Sequence, residues 1–450
     1  MGPRLLSLTV PLTPPPAAAA LPDLSSVIDA GTVPQRLDLA QPAGPGLAPE
    51  AALPGLEAQV NAEARPDAGA ARPPAETESF GGQQRFDGVG AIGAAAVQAD
   101  SVSSGWSQGT FESSAGGKIA FKSRDGGPGA ARVYAGGLSL NESFDPLFAA
   151  KREPTGPEYF MWTRGHPPTD LTPTKSPLDA DARDLARMIV LAGQASPTGK
   201  VELALHSFGT LVFQRMVQLR AEPEVKDALR LLAGSRVVLL HATTHYEGSE
   251  RKAGPEFEQM GMGARMFVDW LDGTDAAARP WEEAAKFNPL AGFLLAQWRA
   301  QREQALALAS KGAADMTRHD LAEPWDPAYD HIRKELIAAL ARDSRDPGWQ
   351  EALLRRSSDM FRLQMTKKDV DFIRRLGLRL DLVHAVGDKL LNWASAKMLF
   401  ELLGISAPDH APAPGTVLRD RTGRFSARIV NGDHYFPLKK PGELADLLDK

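Results

Sequence analysis

The segment from Val201 to Thr210 is the part of the sequence that most constrains the fold. It reads Val-Glu-Leu-Ala-Leu-His-Ser-Phe-Gly-Thr, and apolar residues at helical spacing follow it at once: Leu211, Val212, Met216 and Val217. The pattern predicts a buried strand, a sharp turn at Ser207 and a helix. Such a turn holds a serine hydroxyl, which is a weak nucleophile, clear of the backbone and beside N–H donors. The alternative is an ordinary strand-to-helix loop in which Ser207 caps the helix.

A histidine close to residue 450 is the candidate general base. The run from Ala427 to Val430 predicts a strand, which Asn431-Gly432-Asp433 ends, and His434 follows before an aromatic pair and an amphipathic helix. Imidazole has an ordinary pKa of about 6.5, so it can take up and return a proton near neutral pH. The alternative for a lone loop histidine is a solvated side chain.

An aspartate after another strand-like run is the candidate acid. The run from Leu380 to Val386 ends in Gly387-Asp388-Lys389, and helical spacing follows it. A carboxylate at the end of a strand can orient a histidine and stabilise the imidazolium. The alternative is that Asp388 caps the next helix. Asp371 and Asp433 are the other candidates for the acid.

Paired glycines follow a β-rich run that begins at Ala131. Gly136 and Gly137 precede a polar loop, and such glycines can turn backbone N–H groups toward an oxyanion. The alternative is a plain turn whose glycines supply positive φ.

Taken together, these segments resemble the α/β-hydrolases of the serine hydrolase, esterase or lipase type. Ser207, Asp388 and His434 follow one another in the order serine, acid, histidine that is typical of the family. The stretch from Tyr159 to His166 resembles a family strand that ends in an Arg-Gly loop. The resemblance runs from about Trp106 to residue 450. It implies an α/β fold with a mostly parallel sheet flanked by helices, whose ligands bind beyond the carboxyl ends of the strands.

The resemblance also implies a role for each site residue. Ser207 would be the nucleophile, His434 the base and Asp388 the acid. The N–H of Phe208 would be one oxyanion donor. The other would be the N–H of Leu138, or that of Gly137 if the register differs by one residue.

The sequence departs from the family pattern in four places. Gly136 stands where many members have histidine, and Pro167 follows Arg-Gly-His. The interval from Asp388 to His434 is long, and a polar Pro/Gly insert at residues 411–423 accounts for it. Leu205 replaces the first elbow glycine. We expect Leu205 to pack in a space left by small neighbours, for which Ala204 and Gly209 are the candidates, and Ser207 to keep a positive φ.

Composition divides the 450 residues into three parts. Residues 1–105 are rich in Ala, Pro and Gly and lack a helical or strand period, which predicts a disordered tail. Residues 106–245 and 379–450 form the predicted hydrolase core. Residues 246–378 carry apolar side chains at helical spacing and predict a helical cap insertion. Apolar cap surfaces would suit an apolar or bulky substrate, and helices that simply pack on the core are the alternative.

Composition also bounds the partners. A net charge of −5 and the lack of a basic stripe give no sign of nucleic-acid binding. The absence of cysteine excludes thiol catalysis, disulfides and cysteine-ligated metal. His241 and His245 have a spacing that a metal site on a helix could use, but the strand-like run before them favours two histidines on a strand and its following loop. We therefore expect neither a metal nor a cofactor.

The sequence leaves location and oligomeric state open. No apolar run reaches the roughly 20 residues that span a bilayer. The first 20 residues resemble a secretory signal whose apolar run is interrupted by Pro11. Secretion or periplasmic export is one reading, and a cytoplasmic protein is the other.

The function that this pattern predicts is a serine hydrolase. It would cleave an ester, thioester or amide through an acyl-enzyme intermediate. One alternative is a non-catalytic binding protein on a hydrolase fold, for which Leu205 and Gly136 are the reasons. The other is an acyltransferase or lyase that uses the same three residues.

Deleting residues 1–100 is expected to leave a folded and active protein, because a segment of this composition has few buried contacts to lose. Thermal unfolding of the truncated and full-length chains checks this. A truncated chain that is insoluble, or that unfolds without a cooperative transition, would contradict it.

Overall fold

The computed structural model describes residues 106–138, 153–164, 176–244, 255–322, 327–360 and 363–449, with single positions at Phe144, Leu147, Thr169, Thr174 and Trp325. The predicted tail at residues 1–105 and its signal-like start lie outside the described residues. His166, Pro167 and His245 lie outside them as well.

The described residues contain one sheet of nine strands. The strands are β1 (Ser107–Glu112), β2 (Lys118–Arg124), β3 (Ala131–Ala135), β4 (Glu158–Met161), β5 (Val201–His206), β6 (Arg236–Leu240), β7 (Arg379–Ala385), β8 (Val417–Arg419) and β9 (Phe425–Val430). Their order across the sheet is β1-β2-β4-β3-β5-β6-β7-β9-β8. Neighbours from β4 to β9 pair in parallel, whereas β2 and β8 run antiparallel to the strands beside them.

Eleven α-helices are described in the same residues. They are α1 (Pro177–Ala195), α2 (Phe208–Gln218), α3 (Pro223–Leu232), α4 (Pro255–Ala285), α5 (Pro289–Ala322), α6 (Asp330–Asp343), α7 (Pro347–Met360), α8 (Lys367–Arg375), α9 (Trp393–Leu402), α10 (Phe436–Lys439) and α11 (Pro441–Leu448). None of these helices is both long and apolar enough to cross a bilayer.

The predicted fold class, an α/β protein with a mostly parallel sheet flanked by helices, is confirmed. One element was not predicted. Strand β8 lies inside the polar insert at residues 411–423, where it pairs with β9 at the edge of the sheet. Only three residues form it, and polar and Pro/Gly-rich neighbours hide so short a strand from a search for alternating apolar residues.

Two apolar clusters cover the two faces of the sheet. Along β5, Leu203 and Leu205 belong to the larger cluster, and Ala204 belongs to the smaller one, because successive side chains of a strand point to opposite faces. Helices α1, α2, α3, α8 and α9 contribute to the larger cluster, and α11 contributes to the smaller. The parallel strands are thus buried on both sides, as parallel sheets generally are.

A helical insertion separates β6 from β7. Helices α4, α5 and α7 pack together around Phe267, Leu271, Leu306 and Leu354. Helices α5, α6 and α7 form a further cluster that includes Leu336 and Trp349. Helix α8, which also falls in the predicted range 246–378, packs into the larger sheet cluster through Val370 and Ile373.

Buried ion pairs tie this insertion to the core. Arg356 of α7 is bonded at 2.7 Å to Asp181 of α1, and each side chain is 1% exposed. Arg356 also donates to the carbonyl of Arg164, whose guanidinium pairs with Asp184 at 2.7 Å. The Arg356 guanidinium lies 5.8 Å from the ring centre of Phe208 at the start of α2. One end of the insertion is therefore fixed directly beside the Ser207 turn.

Replacing Arg356 by Met is expected to destabilise the protein by roughly 3–5 kcal/mol, because it leaves the buried Asp181 carboxylate without its cation. Met keeps an unbranched apolar stem and removes the guanidinium that lies over Phe208. Denaturant-induced unfolding measures the change.

The matched control is Arg342→Met, since the Arg342 side chain is 71% exposed while bonded to Asp343. Its change should stay within about 0.5 kcal/mol. Similar losses from the two substitutions would contradict the role assigned to the buried pair.

Candidate active site

Ser207 occupies a strained turn between β5 and α2. Its φ is 52° and its ψ is −114°, and its N–H donates to the carbonyl of Leu240 at 2.9 Å. The positive φ expected from the sequence is confirmed. Phe208 is the first residue of α2, so its N–H has no partner within the helix. The turn therefore presents a hydroxyl next to the positive end of a helix dipole.

Gly209 allows this turn to pack closely against the end of β3. Its N–H donates to the carbonyl of Gly136 at 3.1 Å. A Cβ at this position would lie 2.8 Å from the carbonyl oxygen of Ala135, which is closer than a side chain tolerates. The close approach also brings the loop at Gly136, Gly137 and Leu138 beside the serine turn.

Leu205 is fully buried at the position of the usual first glycine. It packs in the larger sheet cluster together with Phe208 and Leu211 of α2. Ala204 lies in the cluster on the opposite face, so the expectation that Ala204 makes room for Leu205 is wrong. The leucine is accommodated because its side chain points under the helix, in the direction fixed by the strand alternation.

Three side chains from different elements form a hydrogen-bonded chain. The Nε2 atom of His434 lies 2.8 Å from Oγ of Ser207, and its Nδ1 atom lies 2.9 Å from Oδ2 of Asp388. An ionised carboxylate only accepts hydrogen bonds, so Nδ1 carries the proton. In the neutral imidazole, Nε2 then presents its lone pair to the serine hydroxyl, and this arrangement can remove the hydroxyl proton.

The Asp388 carboxylate is fully enclosed. Its Oδ1 atom accepts from the N–H of Leu391 at 2.8 Å, and its Oδ2 atom accepts from His434 and from His241. Burial by itself raises the pKa of Asp388, but His434 and the hydrogen bond from His241 outweigh it, so the net pKa lies well below the usual range. The carboxylate is thus ionised at neutral pH.

The other two candidate acids do not take this position. Asp371 lies on helix α8. Asp433 accepts from the N–H of Tyr435 at 2.8 Å and pairs with Lys439 at 2.5 Å. Of the three candidates, Asp388 is the one bonded to His434.

Three further histidines lie around Ser207, His434 and Asp388. They were not predicted from the sequence to belong to the site. His206 precedes Ser207, and its Nε2 lies 2.8 Å from the carbonyl oxygen of His434, to which it donates. His241 follows β6 and donates from Nδ1 to Asp388 at 2.8 Å. His384 lies on β7, with its ring centre 6.4 Å from that of His241. Burial lowers the pKa of all three.

The position of His241 could have been found from the sequence. It directly follows the apolar run that forms β6, and side chains after neighbouring parallel strands meet at one sheet edge. His241, Asp388 and His434 form a group that could hold a metal ion, with ligand atoms within 4.8 Å of one another. Their contacts at 2.8 Å and 2.9 Å are hydrogen bonds whose protons a metal would have to displace.

Comparison with solved structures finds esterases and an epoxide hydrolase among the structural neighbours of the protein. The thermophilic esterase of Thermogutta terrifontis is 13% identical, with 76% of this chain and 96% of the esterase covered and a TM-score of 0.46. The Cif epoxide hydrolase of Acinetobacter nosocomialis is 11% identical over 78% of this chain and 90% of its own, with a TM-score of 0.47. An esterase from Rhodococcus is 14% identical over 76% and 97%, with a TM-score of 0.41.

No protein-family model matches the sequence, and no curated protein matches it. The α/β-hydrolase fold is identified from the topology of the protein itself. A mostly parallel sheet is covered by helices, the serine turn follows a central strand, and the chain order is Ser207, Asp388, His434.

The stability of the folded protein should fall as the pH is lowered from 7 to 4. Burial lowers the pKa of His384 from 6.5 to about 4, so the unfolded chain binds more protons than the folded one between these values. The contribution is complete above pH 6.5 and is lost toward pH 4, by an amount on the order of 3 kcal/mol.

His384→Gln should make the loss between these two pH values smaller by a comparable amount, as measured by urea unfolding at each pH. The exposed His331 provides the control, and His331→Gln should leave the pH dependence unchanged. Equal pH dependence in the His384 variant and the wild type would sink this expectation.

Proposed function

We propose that the protein is a serine hydrolase that cleaves an ester, thioester or amide through an acyl-enzyme intermediate. The observation that carries the proposal is a pair of hydrogen bonds made by His434, one to Ser207 at 2.8 Å and one to Asp388 at 2.9 Å. A strained turn, a base and a buried acid have little use together apart from nucleophilic catalysis.

The reaction begins with attack by Oγ of Ser207 on the carbonyl carbon of the substrate. His434 takes the serine proton at Nε2, and the resulting imidazolium is stabilised by the ionised Asp388. His434 then gives the proton to the departing alcohol, thiol or amine, which leaves an acyl group on Ser207. Water, activated by the same histidine, releases the acid and restores the serine.

The oxyanion of the tetrahedral intermediate needs hydrogen-bond donors next to Ser207. The N–H of Phe208, at the start of α2, is the first donor we propose. The second is the N–H of Leu138, or that of Gly137. In support, the loop that holds both follows β3, next to β5 in the sheet, and the bond between Gly209 and Gly136 joins it to the serine turn.

The helical insertion acts in this proposal as a cap over the site. One apolar cluster contains Trp325, Trp349 and other insertion residues together with Tyr435, the neighbour of His434, and the partly buried Leu138 packs against it. Apolar residues of the insertion therefore share a cluster with the neighbour of the proposed base and with the loop that carries the proposed second oxyanion donor. A covered site of this kind excludes water and favours an apolar acyl group.

Ser207→Ala is expected to lower hydrolysis of p-nitrophenyl esters by several orders of magnitude with the fold intact, since the nucleophile is lost. Esters of increasing chain length would reveal the preferred acyl group. The mutant should also lose covalent labelling by a fluorophosphonate probe.

The matched control is Ser344→Ala, because Ser344 follows the last residue of α6 and its hydroxyl donates to the carbonyl of Ala341 within the insertion. It should retain activity and labelling. An inactive, unlabelled wild type would favour a non-catalytic binding protein. Product transfer to an added alcohol in preference to water would favour an acyltransferase.

A further inference from the structure

The Asp388 carboxylate is shared between two imidazoles. Its Oδ2 atom accepts from Nδ1 of His434 at 2.9 Å and from Nδ1 of His241 at 2.8 Å. The side chains of Asp388 and His241 are both 0% exposed. One oxygen atom therefore serves both the candidate base and a second histidine.

The backbone at His241 has a strained conformation. Its φ is 55°, and Ser207 is the other non-glycine residue with positive φ among the described residues. The two residues follow the neighbouring strands β6 and β5. The N–H of His241 donates to the carbonyl of Val383 at 2.8 Å. Such strain persists where the surrounding structure requires it, and it concentrates at functional sites.

On the basis of the proposed function, we infer that His241 is a positioning residue for the reaction. It donates a hydrogen bond to Asp388 that fixes the carboxylate toward His434 and takes up part of its charge. His241 acts through Asp388 and does not touch the serine.

His241 must be neutral to act in this way. A cationic His241 would repel the imidazolium that forms at His434 during the reaction, about 5.1 Å away between ring centres. Burial lowers the pKa of His241 more than the Asp388 carboxylate raises it. Its Nε2 atom is buried and has no hydrogen-bond partner among the described residues, which suits a neutral ring protonated at Nδ1 alone.

Other ionisable groups also lie near His434, among them Tyr435, whose ring centre is 5.5 Å from that of His434. His206 precedes the serine, His384 faces His241 from β7, and Asp433 is paired with Lys439. Burial lowers the pKa of His206 and that of His384, and it therefore favours the neutral ring at both positions. His434 is the histidine bonded directly to Ser207, so the pH profile of labelling is compared between proteins that differ only at position 241.

The test compares His241→Asn with His241→Leu in the full-length protein. Asn and Leu have similar size and branching, but only Asn places an N–H donor where Nδ1 of His lies, and Asn tolerates positive φ. The readout is the rate of fluorophosphonate labelling at Ser207 as a function of pH. Circular dichroism and thermal unfolding establish that each variant is folded.

In the Leu variant, Asp388 directs its undivided charge at His434, so the imidazolium is more stable. The midpoint of labelling should rise by on the order of one pH unit. The limiting rate should fall by up to about 100-fold, since the carboxylate is no longer fixed. The Asn variant should keep the wild-type midpoint. If the Leu variant does not fold, His241→Gly removes the donor without backbone strain.

An unchanged or lowered midpoint in a folded variant without the donor would overturn the inference, and so would equal shifts in the Asn and Leu variants. Wild-type labelling at Ser207 separates the two proposals. If the wild type is not labelled, the proposed function fails. If it is labelled and the variants share its midpoint, only the role of His241 fails.

Discussion

The site is organised around a negative charge buried at the end of β7. An ionised carboxylate with a fully enclosed side chain, as in Asp388, is tolerated only when its oxygens are satisfied by donors. Those donors come from three places in the chain: the residue after β6, the loop after β9 and the backbone before α9. The ends of β6, β7 and β9 must therefore stay in register for the charge to remain. The same alignment of strand ends places His434 beside Ser207. The hydrogen bond that satisfies the buried carboxylate therefore also fixes the position of the base.

A second set of buried charges links the insertion to this sheet edge. Arg356 joins α7 to Asp181 on α1 and lies over the ring of Phe208, the residue after the serine. The pair of Arg164 and Asp184 continues this network toward β1 through Ser113. The insertion therefore does more than supply apolar surface, because one of its helices packs on the element that presents the serine. A change in the packing of α7 would be felt at the start of α2.

The sequence was informative where local pattern and function coincide. The apolar runs before Ser207 and Asp388, and the helical spacing around Phe267 and Ile332, correspond to strands and helices of the fold. His241 was predicted to lie on a strand or on the loop after it, in preference to a metal site, and its place at the sheet edge follows from the apolar run before it. Its bond to Asp388 does not follow from that run, because another strand supplies the carboxylate. Similarly, the direction of Ala204 depends on which face of β5 carries α2, and the three-residue β8 is defined by its pairing with β9. These are non-local relations, and no periodicity within a segment contains them.

Ser207 and His241 share a positive φ at the ends of adjacent strands, and this shared strain sets two kinds of selection against each other. Glycine would relax the backbone at either position, and asparagine would do so at 241. Selection for stability alone would therefore favour glycine or asparagine at these positions. Selection for the proposed chemistry would instead retain serine and histidine. In a lineage where the chemistry was no longer needed, replacement at these two positions would relieve backbone strain and would no longer be opposed.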